Sequence, residues 1–310
     1  MTTLAPGNRL LVLLSFVAIY IIWGTTYLAI AIGLRDFPPF LLASVRFIIA
    51  GLIMVGYCQV KGEPLPRFDA IAKNALLGLV VLAGGQGLLI WSEQYITSGY
   101  ASILVATLPI WFVIVDRKHW RTYFSNPFII AGVLLGFGGI ILLFKDNLTG
   151  THSNADSAIQ LYASIAVLVG AICWVVGSLY NRSNPARGSM YANLGWQLLA
   201  AAVICSVISA SLGEWSSFQI ANVTTKGLLS VVYLSLAGSI VAFVAYTWLL
   251  TQKPSAVVGT YAYINPIVAV ILGYFLASEK ITTFQLLGML VILISAVLIN
   301  VNKSKEFKTK

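Results

Sequence analysis

The stretch that decides the fold is residues 91–111, WSEQYITSGYASILVATLPIW, because it returns as residues 248–268, WLLTQKPSAVVGTYAYINPIV. A shift of 157 positions aligns the two copies and places Pro109 on Pro266. In each copy an aromatic residue ends one apolar segment, a polar break follows, and the next apolar segment carries the proline. Proline is costly inside the helices of soluble proteins, whereas membrane helices tolerate it. The repeat therefore predicts two related halves within a membrane.

The composition agrees with a protein that lies in a lipid bilayer. Hydrophobic residues make up 59% of the chain, charged residues only 9%, and the mean hydropathy is +0.89. Soluble domains carry about 25% charged residues, so this chain is expected to be an integral membrane protein. The net charge of +9 does not indicate a nucleic-acid partner, because the basic residues lie in short loops and at the C-terminal end.

Apolar runs separated by polar or proline breaks predict ten spans of a length that crosses a bilayer. The spans are residues 10–33, 38–60, 74–92, 97–115, 127–144, 158–180, 189–212, 226–250, 255–277 and 282–301. They divide into a first five-span half (1–145), a polar linker (146–157), a second five-span half (158–302) and a basic tail (303–310). An odd number of spans in each half makes the halves inverted. The predicted fold is therefore an all-α membrane protein with two inverted five-helix repeats around a central cavity.

The placement of lysine and arginine predicts the orientation. With the N-terminus in the cytoplasm, 14 of the 19 basic residues fall in cytoplasmic segments and four in outer loops, and Arg46 lies inside a span. Basic loops favour the cytoplasmic side of a membrane. We therefore expect a multi-pass protein of the cell membrane with both termini and the basic tail in the cytoplasm and the linker outside.

Polar side chains at membrane depth usually face protein or a water-filled cavity. They are concentrated in spans 1 to 4 and 6 to 9, whereas span 5 has none and span 10 has few. We therefore expect spans 1 to 4 and 6 to 9 to surround a cavity and spans 5 and 10 to brace it from outside. The predicted substrate-binding residues are Trp23, Tyr27, Gln86, Asn193, Gln197, Tyr261 and Asn265.

A second set of residues is predicted to act in gating or coupling: Arg46, Trp91, Glu93, Pro109 and Pro266. Arg46 is the one charge deep in a span, and two interpretations are open. It either binds a substrate carboxylate or closes an outer gate with Glu93, or it is a structural cation whose stem packs in the bundle. The two prolines are candidate points of helix bending.

Catalytic, metal and redox sites are not expected. The three cysteines lie in apolar segments without metal-ligand spacing, and both histidines lie in loops. A membrane-embedded enzyme would need a cluster of acids or a nucleophile with a base, which the spans lack. A scaffold protein would not need polar faces on eight of ten spans. The sequence therefore favours a transporter without a cofactor.

The chain resembles the EamA family of the drug/metabolite transporter superfamily over essentially its whole length, and four segments carry the resemblance. They read YIIWGTTYLAIAIG, LLASVRFIIAGLIM, GGQGLLIWSEQYITSGYASILVATLPIW and PSAVVGTYAYINPIVAVILGYFLASEKIT. The resemblance implies ten helices, an inverted repeat and export of amino acids or other small metabolites by alternating access. One departure is that Glu279 precedes span 10, whereas the first half offers only Asp116 as its counterpart.

The function expected from the sequence is secondary transport of small organic metabolites, including amino acids, their derivatives and drug-like amphipathic solutes. Export is favoured, and an importer or a sugar-type carrier of the same fold is the alternative. Proton antiport through Glu93, exchange and facilitated export all remain open. The partners expected are a small-molecule substrate and the lipid bilayer, and the oligomeric state stays open.

Overall fold

A computed structural model of the protein describes residues 6–148, 154–253, 258–259 and 261–306, and these residues form a bundle of helices. Long apolar segments form helices because each one satisfies its backbone groups internally, as a lipid environment requires. We number the long helices α1 (Pro6–Gly33), α2 (Pro39–Val60), α3 (Phe68–Ser92), α4 (Ser98–Val115), α5 (Pro127–Leu148), α6 (Asn154–Ser183), α7 (Met190–Ser211), α8 (Thr225–Gln252), α9 (Tyr261–Ala277) and α10 (Thr283–Glu306).

Seven of the described helices, α1 to α4 and α6 to α8, are long and apolar enough to cross a membrane. The other three, α5, α9 and α10, contain shorter apolar helices of 10–17 residues. Ten helices therefore follow one another in the predicted order, while ten complete spans stay a prediction. Residues 254–257, where the ninth span was expected to begin, lie outside the described residues.

Two helices contain matching irregular segments. α3 is π-helical at Gly78–Gly87, and α8 is π-helical at Leu234–Ala242. The shift of 157 positions found in the sequence carries the first segment onto residues 235–244, which nearly coincide with the second. π-Helical segments are rare and occur frequently at functional sites. The two halves therefore share a local distortion as well as a sequence pattern.

The predicted fourth span, residues 97–115, is not one uninterrupted helix. Regular helix stops at Val105 and starts again at Leu108, with Pro109 in the first turn of the new helix. Proline lacks the N–H that would bond the carbonyl four residues earlier, so the helix breaks before it. Proline in a first helical turn costs little, because that turn has no such bonds to lose.

The helix ends differ from the predicted spans around the polar segments. α5 continues to Leu148 and α6 begins at Asn154, so both helices extend into the predicted linker 146–157. α10 likewise continues to Glu306, into the predicted tail. Hydropathy marks only the apolar part of a helix, whereas the helix itself continues into the polar residues beyond that part. The linker residues 149–153 lie outside the described residues.

α5 and α10 pack against one another through small residues. A side chain at Gly132 would meet Ile299 at 2.7 Å, and one at Gly136 would collide with Ile110 and Ser295. Ser295 Oγ donates a hydrogen bond to the Gly132 carbonyl at 2.6 Å. Small residues at these contacts let the two helices approach closely.

Replacing Gly136 by leucine is expected to lower the free energy of unfolding by about 1–3 kcal/mol, the usual cost of overpacking. The thermal midpoint of the purified protein in detergent measures this loss. Gly138 is the matched control on the same helix, because a side chain there would meet no atom within 4 Å. Equal midpoints for Gly136→Leu and Gly138→Leu would contradict the close contact.

α2 and α7 form the second closely packed pair, and a carboxylate joins the two helices at each end. Glu214 follows α7 and caps α2, because it accepts from the backbone N–H groups of Phe40 and Leu41 in the first turn of α2, the latter at 2.9 Å. Carboxylates are stabilised at helix N-termini. Glu63 follows α2 and accepts a hydrogen bond from the hydroxyl group of Ser189, the N-cap residue that itself accepts from the N–H of Ala192 in α7.

Candidate functional site

The bundle contains a cavity of about 400 Å³ between α3, α6, α7, α8 and α9. Arg182, Pro185 and Gly188 lie at its mouth, in the exposed segment where α6 ends and leads to α7. Thr251, near the end of α8, lines the same mouth. We call this face of the bundle the open end. Leucine, valine and aromatic side chains form much of the wall, which suits a solute with an apolar part.

Three amide side chains form a hydrogen-bonded chain in the wall of this cavity. Asn74 Nδ2 donates to Asn193 Oδ1 at 2.8 Å, and Gln197 Nε2 donates to Asn74 Oδ1 at 3.2 Å. Asn193 Nδ2 also donates to the carbonyl of Ala186 at 3.2 Å. Asn193 and Gln197 line the cavity, as the sequence predicted, and Asn74 fixes their positions from α3.

Replacing Asn74 by alanine is expected to lower the free energy of unfolding by about 1–3 kcal/mol, because two buried amides each lose a partner. We expect the thermal midpoint and the affinity for a transported solute to fall together. Asn184→Ala is the control, since Asn184 is exposed on the segment between α6 and α7. An unchanged midpoint for Asn74→Ala would show that the chain of amides does not hold the wall.

The inner end of the cavity is closed by an aromatic cluster of Trp23, Trp174, Tyr246 and Tyr261. The ring centroid of Trp23 lies 5.0 Å from that of Tyr261, 5.1 Å from that of Tyr246 and 5.7 Å from that of Trp174. Trp23 Nε1 also donates to the carbonyl of Gly238, in the π-helical segment of α8, at 3.3 Å. Tilted and edge-on ring pairs at these distances stabilise one another. The cluster thus joins α1, α6, α8 and α9.

A second, smaller cavity of about 50 Å³ lies on the other side of this cluster. Trp174 and Tyr261 line both cavities, so these two rings form part of the partition. The small cavity is also lined by four further residues predicted from sequence: Trp23, Tyr27, Gln86 and Asn265. Each of the seven predicted substrate-binding residues therefore lines one of the two cavities.

Asn265 has a positioning role within this arrangement. With its amide oriented to match its neighbours, Asn265 Nδ2 donates to the carbonyls of Tyr261 and Tyr20, each at 3.1 Å. The orientation follows from the hydrogen bonds, as it does for most amides. Asn265 therefore ties α9 to α1 beside the small cavity, and Pro266 follows it inside a helix that remains continuous.

The face opposite the open end is closed by contacts between α1 and the start of α8, and we call it the closed end. Asp36 Oδ2, after α1, accepts hydrogen bonds from Thr224, whose N–H lies at 2.9 Å. The neighbouring rings of Phe37 and Phe218 are stacked with centroids 5.2 Å apart. The ring centroids of Trp91 and Tyr95 are 5.2 Å apart, and Trp91 lines a surface depression at this end.

Glu279 also acts at the closed end, where it caps α4. It accepts hydrogen bonds from the N–H groups of Ser98 and Gly99, both at 3.0 Å, and from Ser98 Oγ at 2.7 Å. Asp116, the proposed counterpart in the first half, is held within its own loop. Tyr123 donates to it and His119 Nδ1 lies 2.9 Å away. Burial, and then the Asp116 carboxylate, raises the pKa of Tyr123.

Arg46 and Glu93 are both buried, but they form no ion pair with one another. Arg46 Nε instead donates to Ser239 Oγ, in the π-helical segment of α8, at 3.1 Å. Arg46 and Glu93 therefore make no direct contact in this conformation, because α8 holds the guanidinium group, and their gating roles stay predictions. The hinge roles of Pro109 and Pro266 stay predictions.

Three residues of the site were absent from the predicted set: Asn74, Trp174 and Tyr246. Asn74 lies at the boundary of the predicted third span, where polarity alone does not distinguish an interfacial residue from a residue of the site. Trp174 lies four residues before Ser178, and this spacing would have marked a polar face, since both line the large cavity. Within the described residues, no group of three or more metal-ligating side chains could hold a metal ion.

An apolar helical bundle with a cavity that is open at one end is an arrangement found in membrane transport proteins. The sequence matches the EamA-like transporter family twice, over residues 10–145 and 161–301. The chain belongs to the EamA-like transporter family, which confirms the resemblance found in the sequence. It is therefore an integral membrane protein and a membrane transporter.

Several relatives match over most of their length. The uncharacterized inner membrane transporter YedA of Escherichia coli (strain K12) is 34% identical over 287 residues, which are 92% of this chain and 89% of that one. A probable amino-acid metabolite efflux pump of the same organism is 23% identical and covers 89% of this chain and 90% of its own. A crystal structure with a TM-score of 0.64 and 19% identity covers 93% of this chain and 97% of that chain, which shows a shared fold.

Proposed function

We propose that this protein is a secondary transporter that moves small organic metabolites by alternating access. The observation that carries the proposal is the cavity of about 400 Å³, which opens at one end and stops at the aromatic cluster. A carrier exposes its binding site to one side at a time, and this conformation has one open and one closed end. Residues of both cavities, the seven predicted ones among them, bind the solute.

Export of amino acids, their derivatives and similar amphipathic solutes is the transport activity we favour. Apolar and aromatic groups line most of the cavity, while the amides of Asn193 and Gln197 add a polar strip to its wall. Such a wall accommodates a molecule with an apolar side chain and a polar group. The relative that is a probable amino-acid metabolite efflux pump supports the same substrate class and direction.

The orientation we propose places the open end in the cytoplasm of the cell, with both termini on that side. The open end carries basic residues, including Arg182 in the last turn of α6, Arg187 between α6 and α7, and Lys73 in α3. The closed end carries the carboxylates of Asp36, Glu214 and Glu279 as helix caps. Basic residues favour the cytoplasmic side, which supports this assignment.

Ten spans in two inverted halves are part of the proposal. The family match covers each half separately. The π-helical segments of α3 and α8 lie at corresponding places in the two halves, and a carboxylate joins α2 to α7 at each end of that pair. Inverted halves give a carrier two conformations in which the roles of the two ends are exchanged.

Transport by the purified protein in liposomes tests the proposal directly. Liposomes preloaded with a panel of radiolabelled amino acids should release at least one of them faster than protein-free liposomes. Gly138→Leu, altered where no atom lies within 4 Å, is the control for a harmless change and should transport like the wild type. If no organic solute of the panel crosses in either direction, the proposed function is wrong.

A further inference from the structure

Arg46 is a buried cation with an incomplete set of partners. Its side chain is 3% exposed, its Nε donates to Ser239 Oγ at 3.1 Å, and its Nη1 is buried without any hydrogen-bond partner. The guanidinium carbon lies 5.0 Å from the centre of the Phe47 ring. The Nε–H group of Arg46 is therefore bound to α8, whereas Nη1 has no partner.

Glu93 is a buried carboxyl group that also lacks hydrogen-bond partners. It is 7% exposed, and neither of its carboxylate oxygens has a hydrogen-bond partner. Arg46 and Glu93 form no ion pair, although they lie near enough to interact electrostatically. Glu93 also interacts electrostatically with two other titratable groups, Glu279 and Tyr27.

Two buried ionisable side chains that lie near one another without pairing are an unusual arrangement. An unpaired charge inside a protein is strongly destabilising unless another group supplies the missing interaction. Buried polar atoms without a partner are also rare, and each one requires an explanation. A ligand that offers an anionic acceptor to Arg46 and a cationic donor to Glu93 would supply both missing interactions.

Neither group is among the residues that line the small cavity, but each lies near a side chain that is. Tyr27 lines this cavity and lies close enough to Glu93 to interact with it electrostatically. Thr26 lines the same cavity, and a side chain at Gly238 would meet Thr26 at 3.1 Å and Arg46 Nη2 at 3.7 Å. Because Gly238 has no side chain, Thr26 and the guanidinium group of Arg46 can both lie close to α8 at this point.

We propose that Arg46 and Glu93 form an ionic subsite for a zwitterionic solute, such as an α-amino acid. The carboxylate of the solute binds Arg46 Nη1, and its ammonium group binds Glu93. The charged head group enters the small cavity of about 50 Å³, while the side chain of the solute contacts the aromatic cluster. This inference rests on the proposed transport function and assigns the substrate class and the residues that select it.

The test measures equilibrium binding of three probes of similar shape to the purified protein. L-Phenylalanine carries both charges, L-phenylalaninamide lacks the carboxylate, and 3-phenylpropionate lacks the ammonium group. We expect the wild type to bind L-phenylalanine at least about tenfold more tightly than either analogue, since one charge-assisted hydrogen bond is worth this factor or more. Equal affinity of the wild type for all three probes overturns the subsite.

The variants should produce a crossed pattern. Arg46→Gln should bind L-phenylalanine and its amide about equally, and Glu93→Gln should bind L-phenylalanine and 3-phenylpropionate about equally. Arg46→Lys keeps the charge and should restore part of the preference for the carboxylate. Variants that weaken all three probes by the same factor would overturn the proposal, because such a loss reflects structure alone.

Two further variants separate binding from folding. A single substitution leaves the other charge buried and alone, so the double variant Arg46→Gln with Glu93→Gln supplies a neutral pair that should fold and lose both preferences. Glu214→Gln changes a buried carboxylate that caps α2, outside the subsite, and should keep the wild-type order of affinities. A double variant that keeps the wild-type order overturns the proposal.

Transport measurements distinguish this inference from the proposed function. If the wild type carries an uncharged solute but shows no preference for the zwitterion, the subsite is wrong and the transporter stands. If the crossed binding pattern appears while no solute crosses the membrane, the subsite stands and the transport proposal is wrong. If Arg46 and Glu93 only meet each other as a gate, the variants change the transport rate and leave the binding preferences intact, which overturns the subsite.

Discussion

Joining the closed end by a disulfide is expected to stop transport and to release it again on reduction. The variant replaces Asp36 and Thr224 by cysteine in a background where Cys58, Cys173 and Cys205 are alanine. Asp36 Oδ2 accepts the Thr224 N–H at 2.9 Å, so the two positions are adjacent in this conformation. A disulfide holds two Cα atoms within about 7 Å of each other. Alternating access requires the closed end to open, and the bond prevents it.

The measurement is solute flux in liposomes before and after oxidation, followed by treatment with a reductant. Oxidised samples should fall to the level of protein-free liposomes, and reduced samples should regain the flux of the cysteine-free parent. A mere loss of stability would not be reversed by the reductant. Full activity of the oxidised sample would mean that α1 and the start of α8 need not separate.

The matched control is a disulfide inside the pair formed by α2 and α7. Ser44 and Ser206 bring their hydroxyl groups into hydrogen-bonding contact between these helices. We expect the pair to move as one body, because Glu63 and Glu214 join the two helices at each end. Ser44→Cys with Ser206→Cys should therefore leave the flux largely unchanged when oxidised, and a loss would show that α2 and α7 slide past one another during transport.

Much of the fold followed from one physical property, the clustering of apolar residues into runs of membrane-spanning length. The contact of α5 with α10 at Gly132 and Gly136 was not predicted, although a helix face without side chains permits close packing. The π-helical segment Gly78–Gly87 had no such signal. Its geometry depends on neighbouring helices, since Gly78 and Gly85 lie against α7 and α6.

The site was predictable where polarity alone marked it. Trp23 and Tyr261 stood out because polar or aromatic side chains at membrane depth need a reason to be there. Asn74 could not be found in this way, because its role comes from pairing with residues more than a hundred positions away. The separation of Arg46 from Glu93 was equally hidden. It depends on Ser239, whose hydroxyl group reaches Arg46 from another helix.

Replacing Trp174 by alanine is expected to join the two cavities and to cause the largest loss of transport among single substitutions in the aromatic cluster. Trp174 is 6% exposed and lines both cavities. Its ring lies 5.7 Å from those of Trp23 and Tyr246 and 6.2 Å from that of Phe243. Without the indole, a solute loses its main aromatic contact and the barrier between the cavities opens.

Two quantities separate this functional effect from a general loss of stability. The truncation should lower the free energy of unfolding by about 3–5 kcal/mol, the usual cost of removing a buried tryptophan. Trp174→Phe should keep the partition, recover part of the stability and transport with a raised KM. Trp215→Ala, at a tryptophan that is 54% exposed, should change neither quantity. Because the alanine variant opens the partition, it should also leak small solutes down their gradient, and a variant that is destabilised but does not leak would assign Trp174 to packing alone.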